Sequence, residues 1–177
     1  MSVIYTERLV LRPFKDGDEK AMFKNWTYDA RAAKWCRWTP HKSVEETKEL
    51  LKIYTDKTKK NYKYRFAITL KELDEPIGCI DAVEISEDNK TATIGYVLSY
   101  DYWNKGYVTE SLKAMIEFLF NNGFEKVVAE HRVENIASGR VMQKSGMTFT
   151  HFGKAKVKFG SNELCDTAWY EITKTVV

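Results

Sequence analysis

The residues with the clearest chemistry are Asn104-Lys105-Gly106-Tyr107, a glycine turn that runs into a helix near Val108 with no Ser, Asp or Pro placed to cap it. A helix entered this way points unpaired backbone N–H groups outward, with the positive end of the helix dipole behind them. That is an anion site. One glycine before a helix is a weak motif, but the alternatives are narrower: the Walker pattern Gly-x-x-x-x-Gly-Lys-Ser/Thr and the dinucleotide pattern Gly-x-Gly-x-x-Gly are both absent. Further on, Asn135 and Ser138 stand at i and i+3 on one helix face, where both can address one ligand, although Asn135 would serve equally as a cap. His131 ends a strand, and imidazole suits a general base at neutral pH, while a lone histidine is more often structural. Glu130, on the opposite face of that strand, and Glu84, on a preceding hairpin, are weaker candidates for a base, and the phenols Tyr107 and Tyr170 could also move a proton. Cys36, Cys79 and Cys165 are odd in number and lack CxxC spacing, so no disulfide framework and no metal site is expected.

The elements that must position these residues follow from periodicity. Leu112, Met115, Ile116, Leu119 and Phe120 recur at helical spacing, and Gly123 with Phe124 marks the helix end. Glu7 to Phe14 reads as a strand near an edge, and Asp16 or Asp18 as the cap of a helix through Trp26. An aromatic connection holding Tyr28, Trp35 and Trp38 follows. Ser43 to Glu46 fits a capping box opening a helix to about Thr55. Tyr64 to Leu70, Ile77 to Ile85 and Thr91 to Ser99 form an antiparallel meander, with KELDEP and SEDNK as its turns. Lys126 to His131 then returns parallel to the third of these strands through a right-handed crossover, Asn135 to Ser145 is a short helix, and Met147 to Phe152 and Leu164 to Thr173 close the chain around a long polar loop. The expected fold class is α+β: one domain over 1–177, with a mixed, mostly antiparallel sheet of about seven strands and helices on both faces.

Composition sets limits. The chain has 177 residues, 44% of them hydrophobic, enough for a sizeable core. A net charge of +3 is too small for a nucleic-acid partner, and the lysines of DKTKKNYK read first as a solvated loop. No apolar run is long enough to cross a membrane and the first residues lack a signal peptide's apolar core, so a cytoplasmic protein is expected.

Four stretches, TERLVLRPF, WTPHKSVEETK, IGYVLSYDYWNKGYVTES and RVENIASGRVMQKSGM, resemble the GNAT superfamily of acetyl-CoA-dependent N-acetyltransferases. They are closest to its branch of ribosomal-protein N-terminal alanine and serine acetyltransferases. With the order of elements, the resemblance covers nearly the whole chain. The superfamily's loop Gln/Arg-x-x-Gly-x-Gly/Ala falls on Trp103 to Val108, where Trp103 and Val108 depart from it. The resemblance implies acetyl-CoA as co-substrate, its pyrophosphate on the amides of Asn104, Lys105, Gly106, Tyr107, Val108 and Thr109. It places the pantetheine arm along Val97, Leu98 and Ser99 between two splayed strands, with Asn135 and Ser138 beside it. By the resemblance Ser138 becomes the acid or thiolate partner, and His131, at the strand end beside that gap, is the base read from its own chemistry.

The implied reaction is direct acyl transfer to an amine in a ternary complex. An α-amine costs only about 1.4 kcal/mol to deprotonate at pH 7, against roughly 4.6 for a lysine, so a protein N-terminus needs the weaker base. Trp35, Trp38, His41 and Glu84 are the expected acceptor contacts, with Trp26, Tyr28 and the loop Gly153 to Glu163 around them. A peptide N-terminus and a small-molecule amine both remain open. So do a non-catalytic acyl-CoA-binding module and, as a further partner, a second copy on the outer edge of the last hairpin.

Overall fold

The computed structural model describes residues 2–175. Eight strands make one sheet: β1 Ile4–Tyr5, β2 Leu9–Arg12, β3 Arg65–Leu70, β4 Leu73–Ser86, β5 Thr91–Leu98, β6 Lys126–Arg132, β7 Thr148–Lys156 and β8 Leu164–Thr173. Their order is β1-β2-β3-β4-β5-β6-β8-β7. Every neighbouring pair is antiparallel except β5 and β6, which run parallel. The expected mixed sheet is therefore present, with the two-residue β1 as one strand beyond the seven read from the sequence.

Alternation along the strands sends side chains to two cores. Phe66, Ile68, Ile80, Ala82, Ile94 and Leu98 meet Leu112, Met115, Ile116 and Leu119 of α4, Tyr107–Asn121. Ala67 and Cys79 belong to the second cluster, packed with Met22 of α1, Asp18–Met22, Trp26 of the π-helical turn Phe23–Thr27, and Leu51 of α3, Val44–Thr55. Two shorter helices complete the set, α2 Ala30–Ala33 and α5 Ile136–Lys144. Burying each large apolar side chain of α4 contributes about 1.5–3 kcal/mol, which fixes that helix and its first turn against the sheet.

Helix ends follow the local chemistry closely. Ser43 Oγ accepts from the Glu46 N–H at 3.3 Å, while the Glu46 carboxylate turns back to the Lys42 N–H rather than to Ser43. At the far end of α4, Gly123 has φ 93° and the Phe124 N–H reaches the Leu119 carbonyl at 3.2 Å, with Phe124 buried. This is the left-handed closure that Gly123 and Phe124 imply.

Three local expectations change. Asp18 does not cap α1; both its oxygens hold the buried Arg12 guanidinium at 2.8 Å. The β3–β4 turn is tighter than KELDEP, because Leu70 already pairs with Leu73. Pro76 is tolerated in β4 because it lies beyond the last β5 partner, Ser99 bonding to Ile77, and within the register shift opposite β3. Finally, β7 continues to Lys156, which shortens the last loop to 157–163.

Candidate active site

The two parallel strands are paired for only three residues, from Thr91 with Lys126 to Thr93 with Val128. Beyond that point β5 stays on β4 and β6 stays on β8, so their C-terminal ends separate. The Ser99 N–H donates to Ile77 O at 2.8 Å, and Val97 is opposite Cys79. By the alternation of an antiparallel ladder, Val97 and Ser99 are turned toward β4, and Leu98 and Tyr96 turn their backbone groups to the open side. The Leu98 carbonyl is taken by Trp103 Nε1 at 2.9 Å, which leaves its N–H facing the gap. Of the three residues expected along an extended ligand, Leu98 is the one with a free donor there, and Tyr96 joins it.

The α4 N-terminus lies past the same strand. Gly106 at φ 80° precedes the first helical residue, and Asn104 is also left-handed at φ 60°. Among the described residues no side chain caps the helix, and its first internal bond is Glu110 N–H to Gly106 O at 3.0 Å. The amides of Tyr107, Val108 and Thr109 therefore lack an intrahelical acceptor. Val108 packs on the α4 core, so its bulk is directed inward. Arg8 braces the turn: its Nη1 donates to Lys105 O at 2.9 Å, its guanidinium holds Glu110, and it lies 4.6 Å over the Tyr107 ring. Burial raises the Glu110 carboxyl, but bonds from Thr6 and Arg8 outweigh it and hold the group below the ordinary carboxylate range. Arg8 and Glu110 went unnoticed in the sequence; the ERLVLR strand carries Arg8, yet its partner is 102 residues away.

On the α4 face of the gap, Tyr96 and Ser138 share a hydrogen bond of 2.7 Å. Burial pushes the Tyr96 hydroxyl up to about 12, with the Ser138 bond acting against it. Alternation with Ile94 and Leu98 could have placed Tyr96 on this face. Asn135 Oδ1 accepts from the Ser138 N–H at 3.3 Å and so does cap α5. His131 is beneath that helix. Its Nδ1 donates to Arg132 O at 2.7 Å, which leaves Nε2 as the other ring nitrogen. Nε2 is buried without a partner among the described residues and is directed at Gly139, where a Cβ would come within 2.7 Å of it.

Glu130, on the other face, looks into a cavity of about 60 Å³ lined by Trp35, Arg37, His131, Arg132, Lys156 and Thr167 among others. Arg37 pairs with Glu130 Oε1, whereas Glu130 Oε2 and Thr167 Oγ1 are buried and unpartnered among the described residues. The α2–α3 connection closes over this cavity. Lys158 Nζ donates to the carbonyls of Ala33, Cys36 and Trp38, and Phe159 N–H donates to Arg37 O at 2.7 Å. Burial pushes the neighbouring Cys36 thiol up to about 11, which keeps it protonated and inert.

Of the four expected acceptor contacts, Trp35 reaches this cavity. Trp38 packs on the second core and edge-on against His41, whose Nδ1 pairs with Thr47 Oγ1 at 2.8 Å. Burial lowers the His41 imidazole, with Glu46 opposing. Glu84 is exposed opposite Thr93, at the end where β5 and β6 are still paired. Tyr170 belongs to the core, and Tyr107 to the first turn of α4.

A strand that parts from its parallel neighbour, an uncapped helix just after it and a lined cavity across the gap together define an acyl-transfer scaffold. The acetyltransferase (GNAT) domain family matches residues 8–148, and the chain belongs to that family. It is similar to the N-acetyltransferase YnaD of Bacillus subtilis, itself uncharacterized, at 32% identity over 173 residues, or 96% of this chain and 95% of that one. The ribosomal-protein-serine acetyltransferase of Escherichia coli is 29% identical over 146 residues, covering 80% of this chain and 79% of the relative. The solved structure of RimL, a ribosomal L7/L12 α-N-protein acetyltransferase in complex with coenzyme A, has the same fold, with TM-score 0.80 and 23% identity over 97% of this chain and 98% of that one.

Proposed function

We propose that this acetyltransferase takes its acetyl group from acetyl-CoA and passes it to a primary amine, the α-amine of a peptide or of a small molecule, within a ternary complex. The whole of 1–177 acts as one N-acetyltransferase domain. The observation that carries the reading is where the buried side-chain atoms without a partner among the described residues are: Glu130 Oε2, His131 Nε2 and Thr167 Oγ1 all belong to residues at the C-terminal end of β6 or paired with it, beside the open edge of β5. Buried polar atoms are rarely left unpaired, and their clustering marks a place built for a polar ligand.

The residues present fit the co-substrate. Amides of Tyr107, Val108 and Thr109, with the left-handed Asn104 and Gly106 before them, suit a pyrophosphate, with Lys105 beside them. Leu98 N–H offers a donor along the gap in the manner of an added strand, between Val97 and Ser99. Asn135 keeps its side-chain NH₂ after capping α5, and Ser138 is beside it. Acetyl-CoA supplies the reactive thioester. As the amine nitrogen forms its bond to the acetyl carbon and the thioester C–S bond breaks, Glu130 takes the amine's proton through Oε2, and Ser138, bonded to Tyr96, can give a proton to the departing thiolate. Trp35 forms the wall against the acceptor. Trp38 and His41 pack against each other outside the cavity lining, and Glu84 is exposed opposite Thr93, so neither the pair nor Glu84 is assigned a contact with the reacting amine.

Turnover settles the reading: the protein is mixed with acetyl-CoA and a panel of amines, and free thiol and acetylated product are followed together. No amine-dependent thiol release would remove the enzyme, and binding without release would leave an acyl-CoA-binding regulatory module in its place. Three free cysteines suit the reducing cytosol as its compartment, and among the described residues no helix is long and apolar enough to cross a membrane. A homodimer fits the outer edge of β7, which among the described residues has no strand partner, on a strand that exposes Phe149 and Phe152. Sedimentation showing only monomers would rule it out.

A further inference from the structure

The acceptor cavity is surrounded by cations that carboxylates do not match. Arg37, Arg132 and Lys156 line it, and Lys34 and Lys158 stand on the two segments that close it. Among the described residues only Arg37 of these five has an acidic partner, Glu130. The half-buried Arg132 gives its guanidinium to the backbone carbonyls of Lys34 and Val157. Lys158 spends its three donors on carbonyls at 2.6, 2.8 and 2.9 Å. Carbonyl oxygens satisfy N–H groups and leave the net charge in place. Burial lowers the Lys158 ammonium, and the nearby Arg132 adds to that effect. Of the two acids on the adjoining segment, Asp166 is held by Lys154 and Glu163 is exposed.

We infer that the acceptor is an amine that carries its own anionic group, a carboxylate placed a few bonds from the nitrogen, and not a polyamine or an aminoglycoside. This rests on the acetyl-transfer reading of the same site. Glu130 Oε2 and Thr167 Oγ1 receive the nitrogen, and the anion faces the exposed Lys156 and Arg37 at the rim. The cavity of about 60 Å³ holds little more than the amine and its nearest atoms, so the carboxylate stays at that rim. A second ammonium on the ligand would instead meet like charge.

Acceptors that differ in the acid test this, with rates compared per unprotonated amine because the carboxylate raises the amine's pKa: free α-amino acids against their α-carboxamides, short peptides with Asp against Asn at the second position, and spermidine. Acid should exceed amide in kcat/KM by about tenfold or more, the value of one charge-assisted contact. Lys156→Glu should shrink that ratio through KM. A preference among free amino acids identifies a small-molecule acceptor, and one confined to Asp peptides identifies a peptide terminus. Equal turnover of acid and amide, or spermidine as the best acceptor, overturns this inference alone. Acetylation of no amine overturns the acetyl-transfer reading beneath it.

Discussion

Glu130→Gln is expected to lower kcat/KM by about a hundredfold or more near pH 7, with the protein still folded. Gln keeps the size and one hydrogen-bond acceptor for Arg37, so the change removes basicity and little else. The expected loss depends on pH. Below the acceptor's own pKa, about 8 for an α-amine, a base must remove the proton; above it the free amine is already abundant. The deficit should therefore narrow as pH rises past that value. A deficit that stays constant with pH would mean that Glu130 only positions Arg37. His131→Gln should cost less, because Nε2 is directed at Gly139 beneath α5, although His131 lines the same cavity as Glu130. Rates measured across pH for both variants decide between them. If His131→Gln abolishes turnover and Glu130→Gln does not, the imidazole is the base after all.

The contrast between these two neighbours shows what a sequence can reveal. Consecutive strand residues face opposite sides, so Glu130 and His131 were separable in advance; which side holds the acceptor was not. That depends on the segment 33–38 folding back over β6, through Lys158 to Ala33, 125 residues away, and Arg37 to Glu130, 93 residues away. Local signals do not encode such contacts. KVKFG looks like any polar loop, although its second lysine anchors the covering segment. Where the chemistry is local the sequence is informative: Gly106, Gly123, the Ser43 cap and the apolar stripe of α4 all act within a turn or two of themselves. The start of β4 at Leu73, ahead of the expected Ile77, has the same cause in reverse. Asp74, Glu75 and Pro76 resemble turn residues, and only the register of β3 and β5 shows why a strand can hold them.

Gly106→Asp is expected to raise the acetyl-CoA dissociation constant by at least about tenfold, and the companion Gly106→Asn should show that charge is the cause. Gly106 has φ 80°, a conformation that Asn and Asp tolerate better than other side chains, so both variants carry similar backbone strain. A Cβ there would have room, with Arg8 Nη2 at 3.4 Å as its nearest neighbour. The two side chains are nearly the same size and differ by one negative charge beside the amides of Tyr107, Val108 and Thr109. In the free protein that carboxylate gains from the helix dipole and from Arg8, and against a bound pyrophosphate it adds repulsion. Both effects weaken binding. About 1.4 kcal/mol between them gives the tenfold change. Because the repulsion acts through solvent, calorimetric titration at rising salt should bring Gly106→Asp back toward Gly106→Asn. If the two variants lose affinity equally and salt has no effect, the glycine serves backbone geometry alone. If neither loses affinity, the uncapped end of α4 does not hold the pyrophosphate.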